Sequence, residues 1–279
     1  MTKPGFITIL LLTLFTADSR AQYYYKDIVS NKQVIAEKQV LKEQKIRNIL
    51  VHSFEGNGDD SRGFFCEKKI SKDYRRIETY TKSNITGKSL QTAYYNDKEQ
   101  LIQSTDSSEL SSTTSVYQYD ANGQITNILS NSHSNDDDFS TRLLEEHQYQ
   151  YDAKGQPVQL LRIRNMKDTV QIIFTADDKG NIIDEKDMGK NGKHYYYYYN
   201  DKNRLTDIVK FNVVKNKLMP DFVFEYNSDG QVIQMVTVEE GMTSDYYTWK
   251  YVYNDGLRII EKCFSRENIL LGYFEYEYN

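Results

Sequence analysis

The sequence predicts an all-β protein made of serial antiparallel β-hairpins, with one short helix near the N-terminus. Three observations carry this. The first is an internal repeat: Tyr117-Gln118-Tyr119-Asp120-Ala121-Asn122-Gly123-Gln124 returns as Tyr149-Gln150-Tyr151-Asp152-Ala153-Lys154-Gly155-Gln156 and as Phe224-Glu225-Tyr226-Asn227-Ser228-Asp229-Gly230-Gln231. The second is alternation before each anchor tyrosine, as in Val170, Ile172, Phe174 and in Tyr247, Trp249, Tyr251, Tyr253. Period two marks a strand with one buried face. The third is composition. The chain has 279 residues with 24 Tyr and 12 Phe but only 3 Pro, and tyrosine suits a pleated, half-buried surface.

Weaker copies of the repeat are anchored at Tyr95, Ala176, Tyr199, Tyr253 and Tyr278, with a degenerate first copy at Ile70. The eight intervals average 26 residues. After each anchor, Asp or Asn starts a turn, because its side chain can accept a hydrogen bond from the backbone two residues on. Gly123, Gly155, Gly180, Gly230 and Gly256 are the structural turn residues, expected in the left-handed conformation that hairpin loops need. One hairpin alone is marginal in water. A series of them can bury one shared face, so one long twisted or spiralling sheet is expected.

The Tyr-x-Tyr-Asp-x-x-Gly-Gln units resemble the YD repeat of the RHS-repeat family of secreted and cell-surface proteins. The resemblance covers roughly residues 70–279. It implies a spiralling β-sheet and carbohydrate binding. The family's other role, encapsulating a toxin, needs a far longer chain and is not carried over.

Residues 1–21 read as a signal peptide. Lys3 precedes the apolar run Phe6 to Phe15, and Ser19-Arg20-Ala21 offers a small-x-small cleavage site before Gln22. The run is too short to span a bilayer. The expected location is therefore the periplasm, cell surface or extracellular space, with no membrane span in the mature chain. Residues 22–69 should hold a helix and the first hairpin, continuous with the repeats at 70–279. The helix is placed at Asn31–Glu43, capped by Ser30 or Asn31, with Val34, Ile35, Lys38 and Leu41 on one side. A strand at 46–54 and a turn at 56–60 should follow.

The formal net charge of −5 carries no nucleic-acid footprint. His52, His133, His147 and His194 have no metal-ligand spacing, and His147, in phase with Tyr149 and Tyr151, is expected in the core. Glu145-Glu146 and Glu239-Glu240 are adjacent strand residues that point to opposite faces, so neither is a natural acid pair. Asp136-Asp137-Asp138 sits in the longest interval; it reads as a solvated insertion, with a calcium loop as the alternative. Ser104 to Ser115 reads as an extended connector. Cys66 and Cys263 are expected as unpaired buried thiols, although export permits a disulfide. No catalytic residue, cofactor or metal is expected.

Tyr195 to Tyr199 are five consecutive tyrosines. Alternation turns Tyr195, Tyr197 and Tyr199 inward, and Tyr196 and Tyr198 outward. Tyr94 joins these two as an outward ligand-binding candidate. Either the N-terminal helix covers the outer tyrosines, or they form a platform for a sugar ring, which stacks on aromatic faces while the phenol adds a hydrogen bond. The expected function is a secreted, non-enzymatic repeat protein that binds a glycan or envelope protein. A protein-interaction scaffold or structural envelope protein is the alternative, and a glycosidase-type enzyme the third reading.

Overall fold

The computed structural model describes residues 23–135, 141–212, 216–238 and 245–279. The expected leader, the Asp136–Asp138 cluster and the Glu239-Glu240 pair lie outside the described residues. Helix α1 is Lys26–Glu43. The strands are β1 Asn48–Glu55, β2 Phe65–Ile70, β3 Arg76–Ser83, β4 Gly87–Tyr95, β5 Leu101–Ser108, β6 Ser111–Tyr119, β7 Ile125–Ser134, β8 Arg142–Tyr151 and β9 Pro157–Arg164. They continue as β10 Asp168–Ala176, β11 Ile182–Asp187, β12 His194–Tyr199, β13 Leu205–Asn212, β14 Lys217–Tyr226, β15 Val232–Val238, β16 Tyr246–Asn254, β17 Leu257–Phe264 and β18 Leu270–Tyr278.

Each strand pairs antiparallel with the next along the chain, and β1 pairs with both β2 and β18. Ile49 lies opposite Lys68 on one side and Tyr278 on the other. The sheet is therefore an 18-stranded closed barrel, all-β with one N-terminal helix. The open spiralling sheet expected from the repeat is not formed. Closure gives the backbone N–H and C=O groups of the first and last strands a partner, which a spiral would leave on two edges.

The repeat explains one rim. Every Asp/Asn turn joins an even-numbered strand to the next odd one, so all of them gather at the same end. Asp152 is representative: its Oδ1 accepts the N–H groups of Lys154 and Gln156, and Gly155 N–H donates to its carbonyl. Gly155 takes φ +80°, which a β-carbon disfavours. The anchor tyrosines tie each hairpin to its neighbour. Tyr151 donates to Ile125 O at 2.8 Å, Tyr226 to Leu205 O at 2.6 Å and Tyr278 to Arg258 O at 2.6 Å.

Barrels of this size leave a lumen too wide for their own side chains to fill. Here α1 occupies it. The helix and the residues leading into it meet inward-facing groups of β4, β6, β8, β11, β12 and β14, and Leu41 joins the core that holds Trp249 and Phe274. A helix that touches strands around a closed cylinder must lie inside it. Its start is deep: Tyr24 and Ile28 pack with Tyr149, Phe174, Tyr195 and Tyr197. Its end reaches the rim, where Gln44 Nε2 donates to Asp255 O. Lys32, Gln33, Glu37 and Gln39 of the helix are exposed.

Two local expectations are corrected. The helix begins at Lys26, five residues before Asn31, and its N-cap, Tyr25, has no side-chain cap. A distant carboxylate, Glu185, instead accepts the N–H groups of Tyr24 and Tyr25, just ahead of the helix. Ser104 to Ser115 is not a connector but most of β5 and β6. Its inward hydroxyls find partners on the neighbouring strands, as in Thr113–Ser132 and Ser115–Ser130, both at 2.8 Å.

Candidate functional site

On β12 the alternation is realised. Tyr195 and Tyr197 are 1% and 2% exposed, and Tyr23 packs against both rings at about 6 Å. Tyr196 and Tyr198 emerge on the outer wall. Tyr198 is 48% exposed, and Tyr196 is half-buried. Since α1 sits on the lumen side, it covers neither, which removes the alternative in which the helix lies over them.

Tyr196 is held in place. Its ring stacks on His194 with centroids 4.3 Å apart, and its hydroxyl lies 3.1 Å from His194 Nδ1. His194 Nε2 faces the Asp184 carboxylate. A proton on Nε2 serves Asp184 and leaves the Nδ1 lone pair to accept from the tyrosine. Across the strands, Tyr196 lies opposite Asp184 and Val209, and Tyr198 opposite Asp207. The result is a fixed ring beside an open one, flanked by carboxylates that accept hydroxyl protons. Tyr94 faces outward on β4, opposite Arg76 and Gln103. Seven strands, β5–β11, separate it from β12, so the structure does not bring Tyr94 to the same patch.

The lumen holds a second polar group, which sequence reasoning found only in part. Glu185, 1% exposed, accepts Tyr24 N–H at 2.7 Å and Tyr25 N–H at 2.8 Å, and the Tyr197 hydroxyl donates to it at 2.6 Å. It thereby anchors the two residues that lead into the helix, at the positive end of the helix dipole. Burial pushes the Glu185 carboxyl up to about 7, against those donors. Nearby, His147 is clamped between Asp27 at 2.6 Å and Glu145 at 2.9 Å, and Arg164 pairs with the other oxygen of Glu145. Burial opposes charge on the imidazole, but the two carboxylates outweigh it and hold His147 up at about 9. Burial likewise opposes charge on Glu145, yet His147 and Arg164 bring it down to about 2. These groups are tied to each other and to the helix, and they hold α1 in the barrel. Glu145 points inward and Glu146 outward, as the alternation requires.

Cys66 and Cys263 are free and buried. Among the described residues, no group of three or more His, Cys, Asp or Glu side chains could hold a metal ion, and no helix is long and apolar enough to cross a membrane.

No family model and no curated relative matches the chain. Among solved structures, the TcdB2–TccC3 protein without its hypervariable C-terminal region is similar over 78% of this chain and 12% of that one, at 13% identity and a TM-score of 0.35. A structure of the Photorhabdus luminescens Tc holotoxin pore gives the same figures. The chain thus spans about an eighth of the length of these toxin proteins. A porin-like protein from Bacteroides uniformis is similar over 84% of this chain and 98% of that one, at 7% identity and a TM-score of 0.39.

Proposed function

We propose that the protein is an exported, non-enzymatic binding barrel that recognises a glycan or another cell-envelope component on the outer wall at Tyr196 and Tyr198. The observation that carries this reading is the exposure of Tyr198 beside a ring fixed by His194, with α1 on the other side of the wall. An exposed aromatic face offers an apolar sugar face a stacking partner, and Asp184 and Asp207 accept from its hydroxyls.

The outer wall is read as facing water. Glu67, Lys69, Glu78, Lys186, Lys250, Lys262 and Glu275 occupy outward positions on six strands. A lipid-facing barrel instead carries an uncharged apolar band. A protein partner is the second reading, favoured by the exposed Phe211 and Leu218 near the same patch.

The test pairs binding with melting. Tyr196→Ala with Tyr198→Ala should abolish binding on a glycan array while leaving the denaturation midpoint nearly unchanged, since neither ring belongs to the core. Retained binding with unchanged stability would remove the platform.

A further inference from the structure

At the rim of Asp/Asn turns, adjacent hairpins are linked by the residue five places after each anchor. Gln124 Nε2 donates to Gly155 O at 2.6 Å, Asn181 Nδ2 to Asn203 Oδ1 at 3.3 Å, and Arg204 to Asn227 O at 2.8 Å and Ser228 O at 3.2 Å. Gln100 and Gln156 reach towards Gly123 and Gly180 in the same way. The next link would run from Gln231 to the turn after Tyr253. That turn is one residue shorter than the others: Tyr253 pairs with Arg258, five residues on, where Tyr119, Tyr151 and Tyr226 pair six residues on, and Asn254 pairs directly with Leu257 across Asp255-Gly256. Gln231 therefore has nothing to reach. Its Oε1 accepts from Asn227 Nδ2 at 2.8 Å, and its Nε2 makes no hydrogen bond among the described residues.

A groove of about 440 Å³ opens where the link is missing, lined by Asn227, Asp229, Gln231, Ile233, Val252 and Asp255. Such a volume suits a small ligand. Asp255 is held at φ +49°, and its carbonyl is taken by Gln44 of the helix end. Its carboxylate makes no hydrogen bond among the described residues. Val252, 44% exposed, and Ile233, 37% exposed, supply aliphatic walls.

We propose that this groove binds the acetamido group of an N-acetylated amino sugar. The complementarity is specific. An acetamido N–H needs an acceptor, which the Asp255 carboxylate offers. Its carbonyl needs a donor, which Gln231 Nε2 offers. Its methyl group needs an apolar wall, which Ile233 and Val252 provide. A sugar bearing only hydroxyls leaves that wall facing polar atoms and loses the fit.

The inference deepens the platform reading and rests on it for chain direction. Tyr198 and the groove lie on the same face and near the same rim, on β12 and on β15–β16. Three strand spacings separate them, about 14 Å. A chain of sugars running across the strands would set one ring on Tyr198 and an acetamido group in the groove.

The test titrates the full chain with N-acetylglucosamine and its β-1,4 oligomers up to the hexamer, beside the matching glucose oligomers, by calorimetry. The acetamido series should bind at least tenfold more tightly, and affinity should climb with length until both sites are spanned. Gln231→Leu and Asp255→Asn should each remove most of that preference without weakening the glucose series; asparagine tolerates the left-handed turn, so the fold is kept. Tyr198→Ala should weaken both series. If Tyr198→Ala weakens both while the groove variants keep the acetamido preference, the groove proposal falls and the platform stands. If the groove variants lose the preference and Tyr198→Ala changes nothing, the platform falls and the groove stands alone. Equal affinity of the two series for the unaltered protein, or no binding of either, overturns the groove proposal.

Discussion

Asp27, in the first turn of the lumen helix, lies 2.6 Å from Nδ1 of His147 on β8, and the far side of the same imidazole meets Glu145 at 2.9 Å. Both ring nitrogens face carboxylates, so the ring is held as a cation with two N–H donors. The helix is thereby joined to the wall by a charge that depends on pH.

The sign of that dependence is fixed. His147 rises from 6.5 to about 9 on folding, so its contribution is complete below pH 6.5 and disappears as pH climbs through about 9. The span corresponds to about 3 kcal/mol. His147→Gln should therefore lower stability at pH 6 and flatten the loss between pH 7 and 9.5, measured by chemical denaturation across that range. A variant whose profile still falls as steeply as the unaltered protein's would exclude His147 as its source.

Glu185 acts in a lower window. Its carboxyl rises from 4.5 to about 7, so its contribution is complete below pH 4.5 and disappears as pH rises through about 7. Glu185→Gln should abolish that slope. Glu185→Ala leaves the N–H groups of Tyr24 and Tyr25 without an acceptor, at about 1–3 kcal/mol each. Proton exchange at those two amides should accelerate in the alanine variant and change less in the glutamine variant.

The turn glycines give a backbone test. Gly155 has φ +80°, and a β-carbon there would stand 3.0 Å from Gln124 Nε2. Gly155→Val should cost about 1–3 kcal/mol. Gln150→Val, on the exposed side of β8, should stay within about 0.5 kcal/mol. Urea midpoints of the two variants at equal m-values decide the matter.

The thiols should be inert in the native protein. Burial, with Glu261 close by, pushes Cys263 up to about 12, and burial raises Cys66. The thiolate is the reactive form. Neither cysteine should be alkylated by iodoacetamide at pH 8 until denaturant is added, and mass spectrometry should then find both modified. Rapid modification of either in the native state would contradict the placement of these strands.

Much of the wall was legible because its determinants are local. Tyr195 to Tyr199 alternate between lumen and surface as a pleat dictates, and Asp152 to Gln156 carry their own turn geometry. What was not legible depends on residues far apart in the chain. Nothing near Asn48 says that Tyr278 will lie beside Ile49, so a spiral and a barrel have the same local pattern. The helix start was misplaced for a related reason: the chain entering the helix is held by Glu185 of a distant strand through Tyr24 and Tyr25, and no cap forms at Ser30 or Asn31. Glu185 itself is a charged residue brought inward by a register shift just after Ile182, where strict alternation from Ile182 would place it on the outer face. Such a residue needs a buried partner. The gap in the rim was also visible, as a turn shortened by one residue at Asp255-Gly256, but a shortened turn has consequences only once its neighbour is known.

Closure of β1 onto β18 bears on how the chain reaches its native state. Each hairpin can zip from contacts close in sequence, yet the final seam joins strands separated by the entire meander. High contact order of this kind slows folding, because loop-closure entropy is lost before the distant pairing compensates. Until β18 arrives, β1 is an open template for any other strand, including the same strand of a neighbouring molecule. Refolding yield should accordingly fall with protein concentration more steeply than the stability of the finished barrel would suggest, and intermolecular strand exchange at this seam is the route by which it would fail.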